Sequence, residues 1–291
     1  MSGQPDSTDL EALRVELQRT ADIPDLTEQM LEITGVVDAA LRPIDIRPTV
    51  VGGLAVAYWT TGLYLTGDID VVMPHSAEIE QRLEALGFER DGRFWTLPGR
   101  DPVLEAPGST LELNPNGYVE VELASGRTIR VQDVEEVLLL RLAEFAATGN
   151  ADVFQQCLWL LGASGLDRER LRARAGEESL ARALDALDGT AESLERDGTK
   201  PRALGDHRPG QVAPCVRRGA VIDERYDSTV NTRFRTYAQW RADREANAAW
   251  MKLVDRALPA YERRRPRDPK EAELLRQRGT PERLIGPSPP V

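Results

Sequence analysis

The stretch that decides how this chain reads runs Val50-Val51-Gly52-Gly53-Leu54-Ala55-Val56-Ala57-Tyr58-Trp59 and, after Gly62, Leu63-Tyr64-Leu65-Thr66-Gly67-Asp68-Ile69-Asp70-Val71-Val72-Met73. Thr49-Val50-Val51 is a β-branched run that stops at two glycines, which predicts a short strand feeding a tight turn. Helical pattern resumes at Leu54, and Leu63 to Met73 is expected to be a second strand carrying two acids. Side chains on a strand alternate with a period of two, so Asp68 and Asp70 project to the same face. The 14 residues from Leu54 to Gly67 between the glycines and the acids suffice for about one helix and a turn.

That pattern has a chemical meaning. Two carboxylates on one face, joined by a third from a neighbouring strand, can bind one or two Mg²⁺, which neutralise triphosphate charge and acidify an attacking hydroxyl. Backbone N–H groups at a glycine turn that opens a helix form an anion site that side chains would obstruct. Gly52 and Gly53 are therefore expected to hold phosphates against metal. An isolated Asp-x-Asp or Gly-Gly turn says little, and it is their conjunction that points to a site.

Outward from this element, Leu10, Leu13 and Leu17, then Met30, Ile33, Val36, Val37 and Ala40, fall at helical spacing. Ala77 to Leu86 is a predicted helix ending at Gly87, Arg93 to Leu97 a strand, and Pro102 to Pro107 a short extended piece. Tyr118 to Leu123 and Thr128 to Val131 alternate about Ser125-Gly126 as a hairpin. Val134 to Leu161 is helical with a break near Thr148-Gly149-Asn150, and Arg168 to Leu187 continues as helices.

The expectation is an α+β fold, a mixed sheet flanked by helices, followed by helical segments and a partly disordered C-terminal tail. Residues 1–25 read as a helical lead-in, 26–190 as the main domain with a helical C-terminal part, 191–212 as a linker, and 213–291 as a basic helical extension. Its last stretch, rich in Arg and Pro from Arg263, is expected to be disordered.

The chain has 291 residues, 41% of them hydrophobic, enough for a sizeable core. No segment reaches the roughly 20 apolar residues of a membrane span, and the N-terminus lacks the pattern of a signal peptide, so a cytoplasmic location is expected. Cys157 and Cys215 have neither Cys nor His neighbours at ligand spacing, which excludes a zinc or disulfide framework, and Cys157 sits in an apolar run as a buried thiol.

Net charge is −11, but residues 201–291 hold 19 Arg and Lys against 12 Asp and Glu, leaving −18 on residues 1–200. An acidic body is poorly suited to long-range capture of nucleic acid and compatible with carboxylates around metal. Arg233, Arg235, Arg241 and Arg244 interleave with Phe234, Tyr237 and Trp240. That mixture suits either RNA stacking and phosphate pairing or an amphipathic helix whose aromatics pack on the main domain.

Val50 to Tyr58 followed by Thr66-Gly67-Asp68-Ile69-Asp70-Val71-Val72 resembles the DNA-polymerase-β-like nucleotidyltransferase superfamily, and within it the small prokaryotic nucleotidyltransferases akin to AbiEii-type toxins. The resemblance spans roughly residues 26 to 190. It implies a nucleotidyltransferase-like fold, Asp68 and Asp70 as metal ligands, Gly52 and Gly53 as the phosphate-binding turn, and Thr66 as a supporting residue. Val134 to Leu142 followed by Asp152 is similar to the family's helix with a basic residue before an acid, which implies that Arg141 reaches a phosphate. The chain differs in having Tyr64 where relatives often have Arg, and Arg141 where Lys is common. For the third carboxylate the resemblance favours Glu105, with Glu120 and Glu122 as alternatives.

The expected activity is transfer of a nucleoside monophosphate from a nucleoside triphosphate to a hydroxyl on RNA, protein or a small molecule, with Mg²⁺ or Mn²⁺ as cofactor. A toxin-antitoxin or defence setting and a cognate protein partner fit the resemblance, and no membrane partner is expected. The competing expectation is an inactive nucleotidyltransferase-fold module that docks a partner through its C-terminal region.

Overall fold

The structure, a computed structural model, describes residues 7–111, 114–196 and 233–257. The chain divides into two compact units, Met1–Glu136 with Arg208–Ala242, and Val137–His207 with Asp243–Val291.

In the first unit, helices α1 (Ser7–Arg19) and α2 (Leu26–Leu41) precede β1 (Thr49–Val50), α3 (Gly52–Trp59), β2 (Asp68–Val72) and α4 (Ala77–Ala85). Strands β3 (Glu89–Asp91), β4 (Phe94–Thr96), β5 (Val103–Gly108), β6 (Tyr118–Glu122) and β7 (Thr128–Gln132) follow, and β8 (Arg233–Arg235) returns late in sequence. They form one sheet of eight strands in the order β3-β4-β5-β2-β1-β7-β6-β8. The sheet is mixed: β2 runs antiparallel to β1 and parallel to β5, while β1 is parallel to β7 and β6 to β8. This is the mixed sheet flanked by helices that the pattern predicted.

One face of the sheet is apolar because each strand alternates. Val50, Ile69, Leu104, Ile129 and Val131 are fully buried, and register aligns Val50 with Val71 and Val131, and Ile69 with Leu104. Helix α2, capped by Asp25 accepting from the Glu28 N–H at 3.0 Å, packs against α3, α4 and β7. The opposite face carries Asp68, Asp70, Glu105 and Glu120.

The predicted hairpin forms with Glu120 opposite Arg130. Three expectations need adjustment. The strand expected from Leu63 begins only at Asp68, because Thr61 (φ +56°) and Gly62 (φ +84°) turn the chain after α3 and residues 61–67 form the connection. Helix α3 starts at Gly52 itself rather than after the glycines. The strand expected at 93–97 is one arm of a hairpin whose other arm is β3, with Gly92 (φ +63°) at the turn.

In the second unit, α5 (Val134–Thr148) runs in from the first, followed by α6 (Ala151–Leu161), α7 (Arg168–Glu177), α8 (Ala181–Arg196) and the end of α9 (Tyr237–Ala257). The break predicted near Gly149 is real: Gly149 has φ +64°, and the Asn150 side chain caps α6 by accepting from the Asp152 N–H at 2.9 Å. Cys157, Leu158, Trp159 and Trp250 are fully buried. Of the stretch read as a linker, residues 191–196 continue α8. The rest of that stretch and the tail expected to be disordered lie outside the described residues.

Candidate functional site

The site is built on β1, α3, β2 and β5. Ile69 and Val71 point into the core with no exposure, so Asp68 and Asp70 share the other face as the period of two requires. Strand β5 lies beside β2 in parallel, with Asp70 directly opposite Glu105 and Asp68 opposite Val103. Neighbouring strands are about 4.8 Å apart, so the bases of the Asp70 and Glu105 side chains are close neighbours. Strand β6, which carries Glu120 and Glu122, is three strands away from β2. Glu120 is occupied there by Arg47 at 2.9 Å and Arg130 at 3.1 Å.

Register slips immediately after this pair, Val72 lying opposite Gly108. Pro107 falls within the slip and has no N–H for the ladder, so a bulge beside the acids is the expected outcome.

Like charges opposite one another on a sheet are destabilising, and each of these two acids has a compensating donor. Asp70 Oδ2 accepts from the Gly53 N–H at 3.1 Å, and Glu105 Oε1 meets the Arg93 guanidinium at 3.0 Å. Arg93, beside the Gly92 turn, also lies over the Phe94 ring, 4.9 Å from its centroid. Arg93 was not singled out from the sequence. The Asp91-Gly92-Arg93 turn offered a signal, because a strand paired with Pro102 to Pro107 would bring its first residues alongside Glu105.

The two glycines have separate reasons. Gly52 has φ +58°, and a Cβ there would lie 2.3 Å from Asp70 Oδ2 and 2.9 Å from its Cγ. Gly53 admits Thr66, whose Oγ1 would stand 2.8 Å from an added Cβ. Thr66 Oγ1 also accepts from the Asp68 N–H at 3.3 Å, which ties the turn at the head of β2 to the start of the strand. Helix, turn and strand thus interlock around Asp70.

Among the described residues no three His, Cys, Asp or Glu side chains are gathered closely enough to hold a metal ion. Asp68, Asp70 and Glu105 share a face, but Asp70 leans toward the helix start and Glu105 toward Arg93. The donor set still fits a divalent cation. Adjacent hard oxygen donors suit Mg²⁺ or Mn²⁺, and a carboxylate with one acceptor site filled keeps others open.

Arg141 lies on α5 in the second unit, where it pairs with Glu144 at 2.7 Å. Cys157 in that unit is a thiol pushed up by burial and so held protonated. His75 is exposed on the connection into α4. Arg235 is buried with its guanidinium 5.0 Å from the Trp59 ring centroid, and Trp240 stacks on Tyr58, so these two groups are spent on packing within the first unit. No helix among the described residues is long and apolar enough to cross a membrane.

Compared with known proteins, the chain matches no protein-family model and no curated protein. Solved structures that match include the solution structure of the antibiotic-resistance factor ANT(2'')-Ia, at 15% identity and a TM-score of 0.35, covering 55% of this chain and 94% of that one. The crystal structure of ANT(2'')-Ia in complex with adenylyl-2''-tobramycin matches at 17% identity and a TM-score of 0.37, covering 49% of this chain and 93% of that one.

Proposed function

We propose that this chain is a nucleotidyltransferase of the DNA-polymerase-β-like class that moves a nucleoside monophosphate from a nucleoside triphosphate to a hydroxyl acceptor. The observation that carries the reading is the register of Asp70 with Glu105, beside Asp68 and at the glycine start of α3. Acids from two strands thereby face the end of a helix where backbone N–H groups and the helix dipole favour phosphate.

In this reading the acceptor oxygen attacks the α-phosphorus, the bond to pyrophosphate breaks, and the acceptor proton passes to a carboxylate. Asp68, Asp70 and Glu105 would hold Mg²⁺ or Mn²⁺, which when bound neutralises triphosphate charge and lowers the pKa of the attacking hydroxyl. Glu105 is placed in this reading to receive the proton, Gly52 and Gly53 to bind the phosphates through their backbone, and Thr66 to fix the turn. Arg141 is proposed as a further phosphate contact. The acceptor is proposed to be RNA, protein or a small molecule, in a cytoplasmic toxin-antitoxin or defence setting of the AbiEii type with a cognate partner protein.

One observation supports a second reading, an inactive module that keeps the fold and docks a partner through its C-terminal region. Arg93 occupies Glu105 and substitutes for metal charge at the one acid that β5 supplies. Incubating the full chain with Mg²⁺ or Mn²⁺, each labelled nucleoside triphosphate and an RNA, protein or small-molecule acceptor separates the two. Label transfer that disappears in the Asp68→Ala, Asp70→Ala double variant supports the enzyme and identifies its nucleotide. Absence of transfer with every nucleotide, together with no metal-dependent nucleotide binding, overturns it in favour of the inactive module.

A further inference from the structure

On the face that carries the acids, strand register sets three side chains in one row. Phe94 of β4 lies opposite Glu105 of β5, and Glu105 lies opposite Asp70 of β2. Residues directly opposite one another project to the same side of a sheet, so the Phe94 ring borders the carboxylates. Arg93, between the Gly92 turn and β4, reaches over that ring, 4.9 Å from its centroid, and meets Glu105 Oε1 at 3.0 Å through its Nε.

That contact uses only the inner nitrogen of the guanidinium. Its two terminal nitrogens have no partner among the described residues. Neighbouring arginines are committed elsewhere. Arg130, on the same face, is held by Glu120 at 3.1 Å and lies over the Tyr118 ring, and Arg47 is spread between Asp38 at 2.6 Å and Glu120 at 2.9 Å. Arg90 is tied to Glu80 and to the Gly92 carbonyl. The planar fork of an arginine matches phosphate oxygens two at a time, and stacking on Phe94 orients the plane in which Arg93 presents it.

Position assigns the phosphate. In the order β5-β2-β1, the glycine start of α3 follows β1 on one side of Asp70, where the Gly53 N–H bonds its Oδ2 at 3.1 Å, and Arg93 stands on the other side beside Glu105. A triphosphate laid across the acids therefore has backbone donors at the leaving-group end and a guanidinium at the end where Glu105 receives the acceptor proton. The phosphorus under attack lies at that second end. Arg93 leaves Glu105 at little cost once the carboxylate is engaged by a divalent cation, because an ion pair whose arginine is 69% exposed is weak.

We propose that Arg93 is the ligand of the α-phosphate: the counter-ion of Glu105 in the absence of substrate, and a donor from its terminal nitrogens to the non-bridging α-oxygens when the nucleotide is bound. The inference rests on the nucleotidyltransferase reading. Titration calorimetry of the full chain with Mn²⁺ and inorganic tripolyphosphate, which carries the phosphates of any nucleotide without its base, tests it, with pyrophosphate as the shorter probe. Arg93→Ala is expected to tighten Mn²⁺ alone severalfold yet weaken tripolyphosphate about tenfold, and to change pyrophosphate by less than about twofold. Arg93→Lys is expected to recover only part of the loss, since an ammonium lacks the planar fork. Damage to the fold would weaken metal and phosphate together, so the opposite signs separate a phosphate ligand from a structural residue. Tripolyphosphate affinity unchanged in Arg93→Ala would overturn the assignment while leaving the nucleotidyltransferase reading standing. An equal loss for both probes would do the same, since it marks a general attraction for anions. No binding of either probe by the wild-type chain would overturn both.

Discussion

Replacing Gly52 by alanine strikes the interlock on which the site depends. The backbone there has φ +58°, a left-handed conformation that costs a residue with a Cβ about 1–2 kcal/mol. The added methyl would also stand 2.3 Å from Asp70 Oδ2 and 2.9 Å from its Cγ, so the carboxylate must turn away and give up the Gly53 N–H at 3.1 Å. A hydrogen bond to a charged group contributes about 1.5–3 kcal/mol, so the total is roughly 3–4 kcal/mol. For a unit of this size that lowers Tm by on the order of 10 °C. Thermal and urea unfolding of the full chain measure it, and Asp70→Ala separates the two parts. Without the Asp70 carboxylate the hydrogen bond and the contacts at 2.3 and 2.9 Å vanish while the Cβ at 3.0 Å remains, so the cost of Gly52→Ala should fall to the backbone part plus that one tight contact, a coupling of about 2 kcal/mol. Gly53→Ala serves as the contrast. It has no positive φ, and its nearest obstacle is the rotatable Thr66 hydroxyl at 2.8 Å. A cost below about 1 kcal/mol is expected there, since alanine is also the better helix former. An identical loss for Gly52→Ala with and without the Asp70 carboxylate would refute the reasoning.

Arg93→Ala should cost less than about 1 kcal/mol of stability, because its side chain is 69% exposed, yet it should tighten Mn²⁺ binding severalfold by releasing Glu105. Unchanged or weaker binding, followed by electron paramagnetic resonance, would show that the guanidinium does not compete with metal. In the second unit Gly162→Ala would put a methyl 2.1 Å from Trp250 Cδ1, and that indole is fully buried and donates to the Leu158 carbonyl at 2.8 Å. The ring cannot swing aside freely, so a loss of about 1–3 kcal/mol in urea unfolding is expected. Because burial holds the Cys157 thiol protonated, in a Cys215→Ser background it should resist an aromatic disulfide reagent at pH 8 and react fully in denaturant. Rapid reaction of the folded protein would contradict that.

Several features were legible in the residues because they depend only on local geometry. The alternation of a strand puts Asp68 and Asp70 on one face without knowledge of its neighbours. Ser125-Gly126 between two alternating runs closes a hairpin by turn chemistry, and Asn150 caps a helix where Gly149 ends one. Apolar residues three and four apart marked α2, α4 and α6 for the same reason.

Other features belong to the tertiary structure. Leu63 to Gly67 carries the composition of a strand but turns, because the left-handed Thr61 and Gly62 redirect the chain before Asp68. Strands as short as β1, β3 and β8 contain too few residues to display a period. That β5 is inserted beside β2, and that Glu105 rather than Glu120 faces Asp70, depends on pairing between segments over 30 residues apart, which burial of the whole apolar face settles and no local pattern encodes. The same packing brings Arg93 to Glu105 and carries Tyr237 and Trp240, nearly 180 residues downstream, back to Tyr58. Sequence alone therefore determined which residues are chemically equipped and which face they share, while the long-range order of strands decided which of them meet.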